Sequence, residues 1–419
     1  MSEWHFLTLK EAELEFIDGD RGVNYPKKAE LLPKGDCVFL NTGNVRQNSF
    51  DFSNLDFITK EKDNLLRNGK LQRDDIVLTT RGTVGNVALY SQVVPFSNIR
   101  INSGMVIIRV NKNFWHPYFV YLFFQSHLFK KQISRLISGS AQPQLPISIL
   151  ETVSIPRLTL DEQKEIIFNI KSIDQKIQIN NQINQELEAM AKTLYDYWFV
   201  QFDFPDQNGK PYKSSGGKMV YNPELKRQIP EGWGVASLFD VAEVQYGYPF
   251  STDYFNSTGD GVPVIRIRDI LGNDITNYST EEVEDKYKIN VGDVLIGMDG
   301  NFHMNYWIQE DCYLNQRVVK VNSDKLPNMV LKYQIEPFIK LREKSVSRTT
   351  VGHLSDKDLK AINVILPKEK YLSSIFDKFE SILENIIINQ QQNQELTQLR
   401  DWLLPMLMNG QVKVENYTD

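Results

Sequence analysis

Two stretches of the 419-residue chain decide its fold: IIFNIKSIDQKIQINNQINQELEAMAKTLY at residues 166–195 and IFDKFESILENIIINQQQNQELTQLRDWLL at residues 375–404. Both contain the tetrapeptide Asn-Gln-Glu-Leu, at residues 184–187 and 393–396. Around it, apolar residues recur in alternating steps of four and three, a period of about 3.5 residues that is typical of helices packed knobs-into-holes. The pattern predicts two long helices.

The seams of these two helices correspond at an offset of 209 residues, and only Ala191 and Arg400 differ in kind. Asparagines on an apolar seam usually specify register, because a shifted alignment would bury them against isoleucine. We therefore expect the helices to pair with each other and not to pack separately, each on its own domain. The seam positions are Ile166, Ile170, Ile173, Ile177, Asn180, Asn184, Leu187, Ala191 and Leu194 in the first copy, and Ile375, Phe379, Ile382, Ile386, Asn389, Asn393, Leu396, Arg400 and Leu403 in the second.

The remaining sequence repeats more loosely. Asp75-Ile-Val-Leu resembles Asp293-Val-Leu-Ile, which aligns Gly82 with Gly300, and Asn102 matches Asn315. The expected fold class is α+β, with two similar domains at opposite ends of an antiparallel pair of long helices, related by a pseudo-two-fold axis. The expected divisions are a first domain (1–157), a first long helix (158–200), a connector (201–229), a second domain (230–367), a second long helix (368–410) and a tail (411–419).

Local patterns fill in each domain. Short β-branched runs separated by Gly- and Asn-containing turns predict strands at residues 76–80, 105–110, 262–266, 294–297 and 317–321. A helix is expected to open at Pro117 and another at Pro327, because proline suits the first turn. Pro337 should kink or shorten the second of these. Residues 203–229, rich in Pro, Gly, Ser and Lys, read as an extended connector.

Composition excludes several classes of protein. Hydrophobic content of 41% and charged content of 24% are ordinary for a globular chain. No apolar run approaches the ~18 residues that span a bilayer, and the N-terminus does not have the layout of a secretory signal. Cys37 and Cys312 are too few for a disulfide framework, which fits a reducing cytoplasm. The five histidines are scattered and predict no metal site.

The net charge of −6 is unevenly distributed. Residues 1–157 carry 19 basic and 15 acidic residues, and residues 76–150 contain no Asp or Glu while keeping seven bases. A polyanion facing this surface is one explanation for the missing carboxylates. A largely buried region is the alternative, although burial alone does not explain why the bases are retained.

Catalytic motifs are absent from the sequence. A phosphate-binding loop would need Ser or Thr after Gly217-Lys218, where Met219 stands. The aminomethylation motif, Asn or Asp before Pro-Pro-Tyr/Phe, is missing, since Asn222-Pro223 runs into Glu224. Nuclease-like triplets such as Asp356-Lys357-Asp358 arise readily by chance on charged surfaces. The sequence therefore predicts no catalytic residue and no cofactor site in this chain.

Side-chain types at the predicted turns favour DNA recognition. Arg, Asn and Gln carry paired donors and acceptors that match guanine and adenine edges in the major groove. Lysines and arginines that follow the apolar part of a helix suit phosphate contacts. The candidate DNA-binding residues are Asn41, Asn44, Arg46, Arg81, Asn86, Arg100, Lys130, Lys131, Gln142, Gln144, Arg266, Arg268, Asn301, His303, Arg317, Lys340, Arg342, Arg348, Thr349, Thr350 and His353. An ordinary solvated turn residue is the alternative for each.

Two variable domains alternating with two similar helices resemble the specificity (S) subunits of type I restriction–modification enzymes. The resemblance covers essentially the whole chain. Its local carriers are GSAQPQL at residues 139–145, YDYWF at 195–199 and KRQIPEGW at 226–233, whereas the second domain departs with SRTTVGHL at 347–354.

The resemblance implies that each domain reads one half of a bipartite double-stranded DNA site and that the helix pair sets the spacer. It implies two DNA-adenine methyltransferase subunits and ATP-dependent restriction subunits as partners, which would hold S-adenosylmethionine, ATP and magnesium. The alternatives are a self-contained nuclease or methyltransferase with a fused DNA reader, and a coiled-coil scaffold with no role at DNA.

Overall fold

The computed structural model describes residues 5–46, 48–134, 136, 143–346, 352–367, 373–408 and 412. They fall into two compact units, Met1–Lys176 with Leu396–Asp419, and Ile177–Glu395. Each unit combines one globular domain with parts of both long helices. The candidate residues Gln142, Arg348, Thr349 and Thr350 lie outside the described part of the chain.

Two sheets organise the first domain. An antiparallel sheet has the strand order β2-β10-β7-β8, and a smaller sheet has the order β6-β3-β9 with β3 and β9 parallel. The apolar runs of β7 and β10 are buried on both faces, as expected for covered strands. The strands are β1 (Phe6–Thr8), β2 (Glu15–Asp18), β3 (Cys37–Leu40), β4 (Val45–Arg46), β5 (Ser49–Phe50), β6 (Phe57–Ile58), β7 (Ile76–Thr79), β8 (Val87–Leu89), β9 (Ile99–Ile101), β10 (Met105–Arg109) and β11 (Ser154–Pro156).

Short helices cover the antiparallel sheet of the first domain. Pro117 opens α2 as predicted, since its missing N–H removes no helical hydrogen bond there. The sequence YFVYLFF leaves α2 almost wholly buried, and its phenylalanines pack against residues of β7 and β10. The helices that contribute to this unit are α1 (Lys60–Leu65), α2 (Pro117–Gln125), α3 (His127–Ile133), α4 (Ile147–Leu150) and parts of α5 (Leu160–Tyr195) and of α9 (Ser373–Met408).

The second unit contains the second domain and its own segments of the two long helices. Its strands are β12 (Met219–Asn222), β13 (Arg227–Pro230), β14 (Gly234–Ser237), β15 (Glu243–Tyr246), β16 (Phe255–Asn256), β17 (Val262–Ile265), β18 (Tyr278–Ser279), β19 (Lys288–Ile289), β20 (Val294–Gly297), β21 (Met304–Tyr306), β22 (Cys312–Leu314), β23 (Val318–Asn322) and β24 (Asn363–Leu366). Its helices are α6 (Leu238–Val241), α7 (Asn328–Val346), α8 (Asp356–Lys360) and the remaining parts of α5 and α9. No helix in the described part of the chain is long and apolar enough to cross a bilayer.

The two domains share one topology. The sheet order β15-β23-β20-β21 repeats β2-β10-β7-β8, and the parallel pair β17 and β22 corresponds to β3 and β9. The pair β14–β24 likewise corresponds to β1–β11, which joins the beginning of each domain to its end. The predicted repeat of two similar α+β domains is confirmed.

A close backbone approach recurs in both domains and requires one glycine in each. A Cβ atom built on Gly19 would lie 2.2 Å from the carbonyl oxygen of Asn102. One built on Gly247 would lie 1.9 Å from the carbonyl oxygen of Asn315. Both distances are too short for any side chain. Because Asn102 and Asn315 are matched in the sequence repeat, the sequence correspondence is also a structural one.

Paired asparagines join the two long helices within the second unit. The Asn180 amide donates to Oδ1 of Asn393 over 2.9 Å, and the Asn389 amide donates to Oδ1 of Asn184 over 2.9 Å. Asn180 also donates to Gln392 over 2.8 Å. As residue numbers rise in α5 they fall in α9, so the helices are antiparallel here. The asparagines meet as the seam predicted.

The position that breaks the repeat has a partner of its own in the first unit. Arg400 forms an ion pair with Asp174, with 3.1 Å between the guanidinium and the carboxylate. The Tyr118 hydroxyl donates to the other oxygen of that carboxylate over 2.6 Å. Ala191, the matching position, is fully buried in the apolar core of the second unit. The two ends of the seam are therefore chemically different.

One sequence expectation was wrong. The connector is not extended, because β12 and β13 form a hairpin and Phe204 stacks on Tyr212 and Trp233 with centroids 4.7 and 4.9 Å apart. Of the two effects expected of Pro337, a kink or a shorter helix, the shortening does not occur, since α7 runs through the proline. Ile335 and Ile339 are buried on either side of the proline, and this packing offsets the hydrogen bond that proline removes.

We expect Asn184→Ala to lower the free energy of unfolding by about 1–3 kcal/mol, because it leaves the Asn389 amide without its acceptor in the seam. Asn184→Leu combined with Asn389→Leu should be less destabilising, since neither polar group remains. Thermal unfolding followed by circular dichroism tests both. The control is Asn385→Ala, because this exposed amide donates to the Ser381 carbonyl of its own helix. An equal loss there would contradict a specific role for the pair.

Candidate nucleic-acid interface

Equivalent tight turns follow the inner strand of each parallel pair. After β3, the side-chain oxygen of Asn44 accepts from the backbone N–H of Asn41 over 3.0 Å. After β17, the carboxylate of Asp269 accepts from the backbone N–H of Arg266 over 2.9 Å. Both turns are single 3₁₀ turns. The first residue of each, Asn41 or Arg266, is a candidate from the sequence, and the structure places them at the same point of the fold.

A second pair of equivalent turns lies beside the first. Arg81 forms an isolated antiparallel bridge with Gln144, and Asp299 forms the same bridge with His353. Each bridge is followed by a glycine, with φ of 71° in the first domain and 70° in the second, a conformation that favours glycine. The predicted correspondence of these glycines is confirmed, and the two turns present different side chains from one backbone.

The turns of the first domain converge. A Cβ atom built on Gly104 would lie 2.7 Å from the Thr42 side chain and 3.9 Å from Cβ of Arg81. The turn after β3, the β7–β8 turn and the β9–β10 turn therefore share one surface. Thr80 and Arg81 both donate backbone hydrogen bonds to the Gly104 carbonyl, which holds the last two together.

A cavity of about 190 Å³ opens on this surface. Arg81 and Gln144 line it together with Arg21, and Arg21 pairs with Asp18 over 2.8 Å. Arg21 was not among the candidates from the sequence. Five of the ten residues before it, from Glu11 to Asp20, are acidic, and no arginine matches it in the second copy of the repeat. The structure thus adds a second arginine beside Arg81.

Burial explains part of the acid-free stretch in residues 76–150. Three of its bases pair with carboxylates that lie earlier in the chain, Arg100 with Asp63, Arg109 with Asp75 and Lys112 with Asp74. Most of β7, β9, β10 and α2 is also buried. Arg81, Lys130 and Lys131 remain as bases without an ion pair among the described residues. Fewer bases are therefore available to face a polyanion than the sequence suggested.

The family model described as the type I restriction modification DNA specificity domain matches residues 1–189 and 230–398. The chain belongs to this family. The two matches coincide with the repeated topology, so each domain is one specificity domain.

Relatives of known type are consistent with this assignment. The specificity subunit of the type I restriction enzyme MjaIX from Methanocaldococcus jannaschii is 26% identical over 81% of this chain and 78% of its own length. The HindI specificity subunit from Haemophilus influenzae is 22% identical over 98% and 100%. The crystal structure of the type I S subunit from M. genitalium matches 96% of each chain with 15% identity and a TM-score of 0.52, a likeness of fold.

Three candidate base contacts have structural roles inside the first specificity domain. Arg100 is buried, and its guanidinium is bonded to the Asp63 carboxylate and to the backbone carbonyls of residues 63, 66 and 68. Asn44 is buried and donates to two carbonyls, and Asn86 donates to the Val45 carbonyl over 2.9 Å. Arg100, Asn44 and Asn86 are therefore not expected to contact bases, because their side-chain donors are bonded to groups within the domain.

The candidates for phosphate contact differ between the specificity domains. Lys131 is exposed and Lys130 half-buried at the end of α3. In the second domain Lys340 pairs with Glu336, and Arg342 pairs with Asp358 over 3.1 Å. The charges of Lys340 and Arg342 are therefore partly neutralised by these carboxylates.

The other candidates lie at or near turns. Arg46 is exposed and pairs with Asp51 over 3.0 Å, and Arg268 is exposed beside Asp269. Asn301 is exposed, whereas His303 is half-buried and its backbone groups bond within the β20–β21 turn. No group of His, Cys, Asp or Glu is placed to bind a metal ion in the described ranges.

Arg100→Gln should lower the free energy of unfolding by about 3 kcal/mol, because it breaks a buried ion pair. Burial alone would raise the pKa of Asp63, but hydrogen bonds from Lys70, Arg100 and Asn98 hold it at about 2. The pair's contribution to the free energy of unfolding is therefore complete above about pH 4, the pKa of an aspartate in the unfolded chain. It is lost as the pH falls towards the pKa of Asp63 in the folded protein.

Acid unfolding followed by circular dichroism should thus begin at a higher pH in Arg100→Gln than in the parent. Arg46→Gln is the matched control, since its exposed pair contributes less than about 1 kcal/mol. An unchanged acid-unfolding curve for Arg100→Gln would contradict the structural role assigned to this arginine.

Proposed function

We propose that each specificity domain reads one half of a bipartite double-stranded DNA site. One observation carries this proposal: the same pair of turns is built twice, with Arg81 and Gln144 in one copy and Asp299 and His353 in the other. A common backbone with different polar side chains suits recognition of two different base sequences, since donors and acceptors at base edges specify sequence.

The helix pair is proposed to fix the length of the unspecified spacer between the two half-sites. The bonds of Asn180 and Asn184 to α9 permit one register, because a shift would place these amides against apolar residues. A single register gives a single separation between the parts that the helices carry. The helices are therefore proposed to act as a ruler.

Other chains are proposed to supply the chemistry. The relatives are named subunits of type I restriction enzymes, so the chain is a non-catalytic recognition component. We propose two DNA-adenine methyltransferase subunits and ATP-dependent restriction subunits as its partners, with S-adenosylmethionine, ATP and magnesium bound by them. The proposed location is the cytoplasm, where these partners would meet DNA.

A heptad added to both helices next to the asparagine pairs tests whether the length of the helices sets the spacer. It lengthens each helix by about 10 Å, so we expect the preferred spacer to grow by about three base pairs at 3.4 Å per step. Methylation sequencing of DNA treated with the complex of this chain and its methyltransferase subunits gives the readout. Altered half-site bases, or an unchanged spacer, would contradict the proposal.

Arg81→Ala tests the reading surface of the first domain. We expect it to relax one position of one half-site, with a loss of discrimination of about 1–3 kcal/mol for a bidentate arginine contact. Lys131→Ala is the comparison, because a phosphate contact should weaken binding to all sequences and reduce its salt dependence. Methyl transfer or DNA cleavage by the purified chain alone would instead favour a self-contained enzyme.

A further inference from the structure

Asp299 lies between two basic side chains in the second specificity domain. One of its oxygens is 3.2 Å from Nε of Arg317, and the other is 2.6 Å from Nδ1 of His353. About half of each basic side chain is exposed, whereas Asp299 is only 28% exposed. The carboxylate thus lies behind the two groups that face solvent.

The position of Arg317 in the fold corresponds to Gly104 of the first domain. The backbone N–H of Met298 donates to the Arg317 carbonyl, just as the N–H of Thr80 donates to the Gly104 carbonyl. Asp299 stands where Arg81 stands in the first domain. The second domain therefore carries an exposed arginine at the neighbouring turn, and it has a carboxylate where the first domain has the half-buried Arg81.

The contact with Asp299 restricts the orientation of the Arg317 guanidinium. The guanidinium nitrogen nearest the carboxylate is Nε, at ion-pair distance, and the two terminal nitrogens have no partner among the described residues. A guanidinium offers its donors as a planar fork that matches O6 and N7 of guanine. Because the fork is already oriented, less rotational freedom is lost when it binds.

We propose that Asp299 is a positioning residue that orients Arg317 to read a guanine in the half-site of the second domain. This rests on the proposed function. His353 holds the second oxygen of Asp299 through Nδ1, so the carboxylate cannot rotate freely. In the first domain Arg81 has no such carboxylate partner among the described residues, so the two half-sites are read by different arrangements on one scaffold.

The test uses the complex of the full chain with its methyltransferase subunits and a DNA library randomised at both half-sites. Arg317→Ala should lower the preference for guanine at one position of one half-site by about 5- to 150-fold, the range for a bidentate contact. Asp299→Ala should reduce the preference at that same position by a smaller factor. Asp299→Asn removes the charge but keeps a polar side chain of the same shape, and it should reduce that preference less than Asp299→Ala does.

Two controls separate positioning from charge and folding. Asp253→Ala removes an exposed carboxylate of the same domain and should leave every base preference unchanged. If Asp299 acted only by repelling phosphates, Asp299→Ala and Asp299→Asn would both raise affinity equally for all sequences, which would overturn the proposal. A measured circular dichroism spectrum and unfolding midpoint for each variant identify any misfolded protein, and Arg317→Lys then provides a folded replacement without the fork.

The outcomes are distinct. An unchanged base preference in Asp299→Ala, beside a changed one in Arg317→Ala, overturns the positioning role. An Arg317 effect at a position that does not prefer guanine, or no effect at all, overturns the guanine assignment. If Arg81→Ala and Arg317→Ala alter the same half-site, or if the complex has no bipartite preference, the proposed function itself fails.

Discussion

The asparagine pairs on the long helices are the interaction on which the proposed role depends. Asn180 with Asn393 and Asn184 with Asn389 place amides against amides along a seam that is otherwise apolar. Such pairs add little net stability, but misalignment costs a desolvated amide at each site. The register is therefore specified by the cost of the misaligned alternatives. The proposed role needs such a fixed register, because two DNA-reading surfaces would have to contact one DNA at a set spacing.

The two domains combine one backbone with different side chains at equivalent turns. Gly19 and Gly247 allow the same close approach, and the glycines after Arg81 and Asp299 have nearly the same left-handed conformation. These positions are constrained by backbone geometry, so they persist between the copies. The side chains at the turns carry no such constraint, and they differ even in the sign of their charge. Divergence is thus concentrated where bases would be met.

The sequence predicted features that depend on periodicity or on backbone geometry. The seam, the asparagine contacts, the matched glycines and five of the strands (β7, β10, β17, β20 and β23) follow from such patterns. Partners far apart in sequence were not predictable in this way. Arg100 was predicted to be a turn residue because Asp63, its buried partner, is 37 residues away. The folded connector was not predicted because Phe204 packs against Trp233, which lies far along the chain. Asp299 was not a candidate, because its partners Arg317 and His353 are 18 and 54 residues away in the sequence.

The helix segment that carries the asparagine pairs also holds the second domain. The Gln391 amide donates to the Ile308 carbonyl over 2.7 Å, and the Gln394 amide donates to the Asn273 carbonyl over 3.0 Å. Ile308 precedes β22, which leads to Arg317, and Asn273 follows the turn that begins at Arg266. Segments that adjoin the turns at Arg266 and Arg317 are thus bonded to α9 beside the asparagine pairs. A shifted helix would break these contacts together with the asparagine pairs, so the register and the placement of these segments depend on the same few turns of helix.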